Sequence, residues 1–285
     1  NIDIDQIEKA ITPRTKVIMP VHFAGLPVDL DPLYQLAEKY QLRVIEDAAQ
    51  AIGTKYKNKI LGSFGDIQVF SFHPNKNMTT GEGGCITTAS DELAKSIQAM
   101  RFHGIDRQAW DRFSKKGSQY YDVITPGFKY NMMDIQAALG IHQLQDLETF
   151  IEKRSILAQR YLKLLQAWPQ IRLPQLASFD HRHSWHLFTI LINENEAGMD
   201  RDTFMAKLKE LNIGTGLHYQ PVHLYHYYQT QFGFRAGDFP CAEDVCSRIV
   251  SLPLFPDMTF EQQDRVIAAM AQVFQPSKIP TFDLV

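Results

Sequence analysis

Residues 17–21, VIMPV, form a short apolar run. From Asp31-Pro32 onward, Leu33, Leu36, Ala37 and Tyr40 recur at the three-and-four spacing of an amphipathic helix, with Asp31 as N-cap and Pro32 as first helical residue. A second apolar run, RVIE, reads as a strand ending at Asp47. Strand, helix, strand is the unit of a parallel sheet covered by helices. The turn-rich YKNKILGSFGD leads to a third strand, IQVFSF, and a fourth, CITTA, follows GEGG; Ser90-Asp91 then opens a helix through Met100. MMDIQAALGIHQLQDLETFIEKRSILAQRYLKLLQ reads as helix almost throughout, and a second domain begins along it. That domain carries an apolar strand WHLFTILI, an amphipathic helix DRDTFMAKLKEL, a loop-rich histidine and tyrosine segment, and a final helix from Phe260. The pattern predicts an α/β protein with a mostly parallel sheet in residues 1–150 and a smaller α+β domain in residues 151–285. There is no internal repeat and no low-complexity tract.

Composition narrows the function rather than the fold. With 45% hydrophobic residues in 285, the chain can bury a sizeable core. A net charge of −3 and no basic run longer than Lys115-Lys116 leave no footprint for nucleic acid or an anionic membrane, so small-molecule chemistry is expected. Cys85, Cys241 and Cys246 are odd in number and never form C-x-x-C, which fits reduced thiols rather than a disulfide frame or a zinc site. No apolar run approaches the roughly 18 residues of a membrane span, and no signal-peptide pattern is visible. A cytoplasmic protein is expected. The first residues, NIDIDQIEKAIT, lack a methionine and read as a short capped helix inside a domain, which sets the expectation that a front segment precedes them.

Ligands of open parallel sheets bind outside the carboxyl ends of the strands, where Asp47 and Lys76 both fall. Asp47, in VIEDAAQA, directly follows an apolar strand, so its carboxylate needs a cation, a hydrogen bond or a ligand; an Asp capping the next turn is the bland alternative. Ala48 and Ala49 leave room beside it for a flat ring, and Gln50 offers an amide. Lys76 stands in SFHPNKNMTTGEGG, a polar, non-helical turn in which Ser71 and His73 precede it and Gly81, Gly83 and Gly84 allow close approach of another backbone or a ligand. Most lysines are solvated, but one in a partly desolvated cleft loses its proton more readily and attacks carbonyls. A carboxylate at one strand end with a nucleophilic lysine after another is the arrangement pyridoxal phosphate requires. GEGG lacks the Lys-Ser or Lys-Thr of a P-loop, and neither a dinucleotide fingerprint nor a G-x-S-x-G elbow is present. His218, His223 and His226 stand in a proline-containing loop with no carboxylate or cysteine pattern nearby, and His183 and His186 flank Trp185 in a strand-like stretch. These five suit a polar, aromatic pocket or packing better than a metal site.

The stretch EDAAQAIGTKYKNKILGSFGDIQVFSFHPNKNMTTGEGG resembles the cofactor signature of the DegT/DnrJ/EryC1/StrS family of pyridoxal-phosphate-dependent nucleotide-sugar aminotransferases, which have the fold-type-I architecture. KYNMMDIQAALG is similar to the family's G-Y-N-x-R-M-x-x-I-Q-A-A segment. RFHGIDRQAWDR, HSWHLFTILI, GIGTGLHY and SLPLFPDMT resemble most the branch that makes UDP-4-amino-4-deoxy-L-arabinose. The resemblance implies that Lys76 forms the Schiff base and shuttles the proton, Asp47 pairs with the pyridine nitrogen, Ala49 lies against a ring face and Gln50 faces the phenolic oxygen. It also implies that Ser71 binds the phosphate and that Asn131 reaches the phosphate of a neighbouring subunit's cofactor, making a homodimer part of the site. His73, His218 and Tyr219 would approach the sugar. The chain departs from the pattern at Met132 and Met133, where the family has an arginine, and at Lys129, where glycine is commoner. The family's opening segment, with a Ser-Gly-Thr phosphate loop and a ring-stacking aromatic, has no counterpart ahead of Asn1, so an incomplete site is expected in this chain.

The implied activity is transfer of an amino group from L-glutamate to C4 of a UDP-4-keto sugar, a UDP-4-keto-pentose, by a ping-pong cycle that releases 2-oxoglutarate and serves lipopolysaccharide or lipid A modification. Another nucleotide-linked 4-keto-hexose is the alternative substrate. A family dehydratase would have replaced Lys76, and a catalytically silent relative would have lost Lys76 or Asp47.

Overall fold

The computed structural model describes residues 1–106 and 121–274; residues 107–112 of RFHGIDRQAWDR and Lys115-Lys116 lie outside them. In chain order the first elements are α1 (Ile4–Ala10), β1 (Val17–Ile18), α2 (Leu30–Lys39), β2 (Arg43–Asp47), β3 (Lys55–Tyr56), β4 (Lys59–Ile60), β5 (Ile67–Ser71), β6 (Gly84–Thr88) and α3 (Asp91–Met100). The long α4 (Asp134–Leu165) is followed by β7 (Ile171–Arg172), β8 (His181–Arg182), β9 (Phe188–Ile192), α5 (Glu194–Ala197), α6 (Arg201–Glu210), α7 (His226–Phe232), α8 (Pro240–Arg248), β10 (Ile249–Leu252) and α9 (Phe260–Phe274). Two compact units result, Asn1–Glu148 with Phe179–Ser184, and Thr149–Ser178 with Trp185–Val285.

The first unit is built on a four-stranded sheet in the order β1-β2-β5-β6. β1, β2 and β5 run parallel, whereas β6 is antiparallel to β5, pairing Ser71 with Gly84 and Ile67 with Thr88. The segment between β5 and β6 contains no helix, and without a crossover the chain returns in the opposite direction. α2 starts two residues earlier than the proline suggests: Asp29 is its N-cap, and Asp31 and Pro32 stand in its first turn, where a missing N–H costs no intrahelical bond. The helix buries Leu30, Leu33 and Ala37, each leucine contributing about 1.5–3 kcal/mol. α3 begins as expected, the Ser90 hydroxyl accepting the Leu93 N–H at 3.2 Å. At the start of the turn-rich YKNKILGSFGD, β3 and β4 form a small hairpin, and β8 returns to pair with β3.

The second unit holds an antiparallel sheet in the order β10-β9-β7. Its core gathers Tyr161 from α4, Phe188, Ile190 and Ile192 from β9, Phe204 and Leu208 from α6, and Met270 and Phe274 from α9. The strand is shorter than WHLFTILI suggests. Trp185 has a φ of 49°, which breaks the extended run, and His183 and His186 are buried outside any strand.

Candidate active site

Asp47 ends β2, and its main chain is held from the neighbouring β1 side, its N–H donating to Pro20 O at 2.9 Å and its carbonyl accepting the His22 N–H at 3.0 Å. On the β5 side Ala48 N–H donates to Val69 O at 2.9 Å. The Asp47 carboxylate is half-buried, and its Oδ1 accepts the Ala49 N–H at 3.0 Å. That single bond leaves most of its acceptor capacity for a cation or a protonated ring nitrogen. Gln50 is buried, and its Oε1 accepts the Ala24 N–H at 2.7 Å. With its oxygen committed, the Gln50 amide presents its NH₂ as the remaining donor.

One strand along, Ser71 ends β5 and the chain enters the turn that carries Lys76. Lys76 N–H donates to His73 O at 3.0 Å, and the Lys76 side chain is half-buried. Burial lowers its pKa below that of an ordinary lysine, and the Asp47 charge offsets this in part by favouring the ammonium. Among the described residues its ammonium makes neither a hydrogen bond nor an ion pair, so a partly dehydrated amine lies in the field of a carboxylate without being captured by it. The turn is closed by main-chain bonds, Phe72 N–H to Gly83 O at 2.8 Å and Thr80 N–H to Phe72 O at 3.0 Å. Two of its three glycines answer close approach: a Cβ on Gly83 would stand 2.5 Å from Thr80 Oγ1, and one on Gly84 would stand 2.4 Å from Phe70 O. Gly81 has open space beside it and is required instead for its φ of +79°.

Asp47, Ala49, Gln50, Ser71, His73 and Lys76 thus all belong to the carboxyl ends of two adjacent parallel strands and the turns that follow them. Ser71 Oγ accepts the His73 N–H at 3.3 Å, and the exposed His73 ring places Nδ1 2.9 Å from Asn75 Oδ1. Asn131 lies elsewhere in the first unit. It accepts a hydrogen bond from the Lys129 ammonium and lines a cleft of about 910 Å³ with Gly84, Cys85, Arg101 and Gln136, beside the outer strand β6. His218 and Tyr219 belong to the second unit, where His218 Nδ1 is 2.7 Å from Ser251 Oγ and packs edge-on to the Tyr219 ring. The carboxylate that sequence reading did not find near His223 is Glu243, whose Oε1 is 2.8 Å from His223 Nε2. No group of three or more His, Cys, Asp or Glu among the described residues could hold a metal ion.

Sequence reasoning passed over a buried layer behind these residues. His22 and Glu46 are fully buried, with His22 Nε2 2.8 Å from Glu46 Oε2. Because Val28 N–H donates to His22 Nδ1 at 3.0 Å, that nitrogen is the acceptor and Nε2 carries the proton that reaches Glu46. Tyr34 OH and Gln68 Nε2 donate to Glu46 Oε1 at 2.6 and 2.9 Å. Burial and the adjoining Glu46 raise the Tyr34 pKa, which keeps its phenol a donor. The sequence signal was a charged residue, Glu46, in phase with the apolar Val44 along the strand and Ala48 just past its end.

A half-buried lysine amine beside a carboxylate that retains free acceptor positions fits pyridoxal phosphate, which needs an amine to hold its carbonyl carbon and a carboxylate to accept its ring N–H. Comparison with known proteins agrees. The model of the DegT/DnrJ/EryC1/StrS aminotransferase family matches residues 1–271. The chain belongs to that family. It is 45% identical over 274 residues to the spore coat polysaccharide biosynthesis protein SpsC of Bacillus subtilis, covering 96% of this chain and 70% of that one. Among solved structures it is similar to DesV of S. venezuelae in complex with a ketimine intermediate, with a TM-score of 0.85 and 35% identity over 96% of this chain and 69% of that one. It is also similar to Spr1654 of Streptococcus pneumoniae in its PMP form, with a TM-score of 0.86 and 30% identity over 95% and 72%. The protein is a pyridoxal-phosphate-dependent sugar aminotransferase of α/β fold.

Proposed function

We propose that the protein transfers an amino group from L-glutamate to C4 of a UDP-4-keto-pentose, giving UDP-4-amino-4-deoxy-L-arabinose, with Lys76 and Asp47 as its catalytic residues. The observation that carries the reading is the unpaired, half-buried Lys76 amine one strand end away from Asp47. Lys76 holds the cofactor and, once displaced, moves a proton; its lowered pKa makes the neutral, proton-accepting form more accessible. Asp47 holds the ring proton, Ala49 borders the ring, Gln50 turns its NH₂ to the phenolic oxygen and Ser71 takes part in holding the phosphate. When bound, pyridoxal phosphate supplies an electron-withdrawing ring that stabilises charge at the carbon losing its proton.

A sugar acceptor is supported by the polysaccharide-biosynthesis name of the Bacillus subtilis relative. The choice of a UDP-pentose rests on the resemblance of GIGTGLHY and HSWHLF, with His218 and Tyr219, and His73 from the first unit, as sugar contacts. A homodimer with shared sites, to which Asn131 contributes, is supported by the apolar residues that the first half of α4 leaves exposed: Met133 just before it, then Ile135 at 82%, Ile141 and Leu144. Three free cysteines support a reducing cytoplasm, where the product would feed lipopolysaccharide or lipid A modification.

The test has two arms. Borohydride reduction of the cofactor-loaded protein should fix a pyridoxyl group on Lys76, found by peptide mapping; a label on another lysine refutes the site. Side by side, kcat/KM should favour the UDP-4-keto-pentose over a UDP- or dTDP-4-keto-6-deoxyhexose. A pocket fitted to a pentose meets the added C5 substituent as a clash, whereas a hexose pocket loses only about 1–3 kcal/mol for a missing carbon. Equal values, or a preference for the hexose, assign the alternative substrate.

A further inference from the structure

The Lys76 turn has a buried inner edge that no step of the proposed reaction uses. Asn77 is 4% exposed, and its Nδ2 donates to the carbonyl of Ser184 at 2.8 Å across 107 residues of sequence. Its other polar atom, Oδ1, is buried and has no hydrogen-bond partner among the described residues. A carboxamide with one end idle in the interior works against stability, so the bond made by its other end distinguishes the position from one that only fills space.

Ser184 is itself fully buried and connects onward. Its N–H donates to Gly25 O at 3.2 Å, and its hydroxyl is 2.9 Å from that of Thr54. Thr54 Oγ1 also lies 2.8 Å from Gly25 O. The Thr54 hydroxyl is the donor toward both, its single proton shared between Gly25 O and Ser184 Oγ. Gly25 ends the short loop 22–25, in which Ala24 and Gly25 have φ of 58° and 95°, and that loop already reaches two candidate cofactor residues. His22 N–H holds the Asp47 carbonyl, and Ala24 N–H holds Gln50 Oε1. All these residues belong to the first unit. One loop therefore holds the main chain of Asp47, the side-chain amide of Gln50 and, through Ser184 and Asn77, the turn that bears the lysine.

We infer that Asn77 and Ser184 are positioning residues that fix Lys76 relative to Asp47 and Gln50 through the shared loop 22–25. The inference rests on Lys76 being the cofactor lysine. Its energetic logic is that of preorganisation: an amine held in place loses less freedom when it captures a carbonyl, and a loop tied on its inner edge admits less water around that amine. Asp47 is the charged group that acts on Lys76, and it is fastened by main-chain bonds that substitution at position 77 does not touch.

The experiment is trace acetylation of the cofactor-free full-length protein with acetic anhydride across pH, with Lys76 followed by peptide mass spectrometry, together with titration by pyridoxal phosphate. Asn77→Leu removes the donor at similar volume; it should move the Lys76 labelling midpoint upward, as the amine gains water, and raise the pyridoxal phosphate Kd about tenfold. Thr54→Val, which loosens Ser184 from Gly25, should shift both readouts in the same direction by less. An unmoved midpoint in folded Asn77→Leu overturns the inference, because a role confined to packing leaves the titration of Lys76 where it was. Should Asn77→Leu fail to fold, Thr54→Val decides by the same criterion. Failure of the underlying reading is distinguishable: borohydride would then fix the cofactor to a different lysine in the wild-type protein.

Discussion

Replacing Glu46 by Gln should destabilise the first unit although the two side chains are nearly the same size. Glu46 is fully buried, and its two oxygens accept from His22 Nε2, Tyr34 OH and Gln68 Nε2 at 2.6–2.9 Å. A glutamine keeps one oxygen, which can retain Tyr34 and Gln68, but its NH₂ then meets the His22 Nε2 proton. The imidazole cannot switch tautomer to relieve the conflict, because Val28 N–H already occupies Nδ1. A buried donor left facing a donor costs about 1–3 kcal/mol. At roughly 2–4 °C per kcal/mol the first unfolding transition should fall by roughly 2–12 °C. Glu46→Ala strands all three donors and opens a void, so it should cost more than Glu46→Gln. Calorimetry of the three proteins at one pH reads the effect. If Glu46→Gln melts within 1 °C of the wild type, the assignment of protons around His22 is wrong.

Asp47→Asn should leave the fold intact, since the strand end is held by main-chain bonds and an amide oxygen can still accept the Ala49 N–H, yet it should reduce kcat by orders of magnitude as the ring proton loses its acceptor; turnover near that of the wild type would sink the role of Asp47. Burial, with a smaller contribution from His181, lowers the pKa of His183 from 6.5 to about 3. Between those values the unfolded chain binds the extra proton, so stability rises with pH through this window and is lost as pH falls. His183→Gln should therefore abolish about 2 kcal/mol of the stability change between pH 6.5 and pH 5, read from urea unfolding; parallel profiles for the two proteins would show that His183 is protonated in the fold.

What sequence reveals here is local chemistry. Ser90, Asp200 and the apolar spacing of α4 and α9 announce helices because cap and face are written within a few residues. Asp47 was legible as a candidate because it stands at the end of an apolar strand, and Lys76 because it stands in the polar, glycine-rich turn that follows another. The antiparallel course of β6 had a signal in the missing crossover helix. The start of α2 was misread because a proline is tolerated anywhere in a first turn, so Pro32 did not fix the cap. The supporting layer was illegible for a different reason: His22 with Glu46, Ala24 with Gln50, Thr54 with Ser184 and Asn77 with Ser184 meet across separations of 24 to 130 residues. No periodicity records such meetings, and isolated His, Thr, Ser and Asn look like ordinary polar positions until the strands are side by side.

The return of Phe179–Ser184 to the first unit also sets an order of events during synthesis. The carbonyl that anchors Asn77 is made 107 residues after Asn77 itself. At roughly 5–20 residues per second, the lysine turn waits on the order of 5–20 s for its tether after leaving the peptidyl-transferase centre. During that interval β3 also lacks β8 as a neighbour, and the nascent chain exposes an unpaired strand edge beside a reactive amine. Maturation of the cofactor pocket is thus timed by the ribosome's arrival at Ser184, so a stall or a pause upstream of that codon would release a chain whose sheet has been made but whose lysine is not yet held.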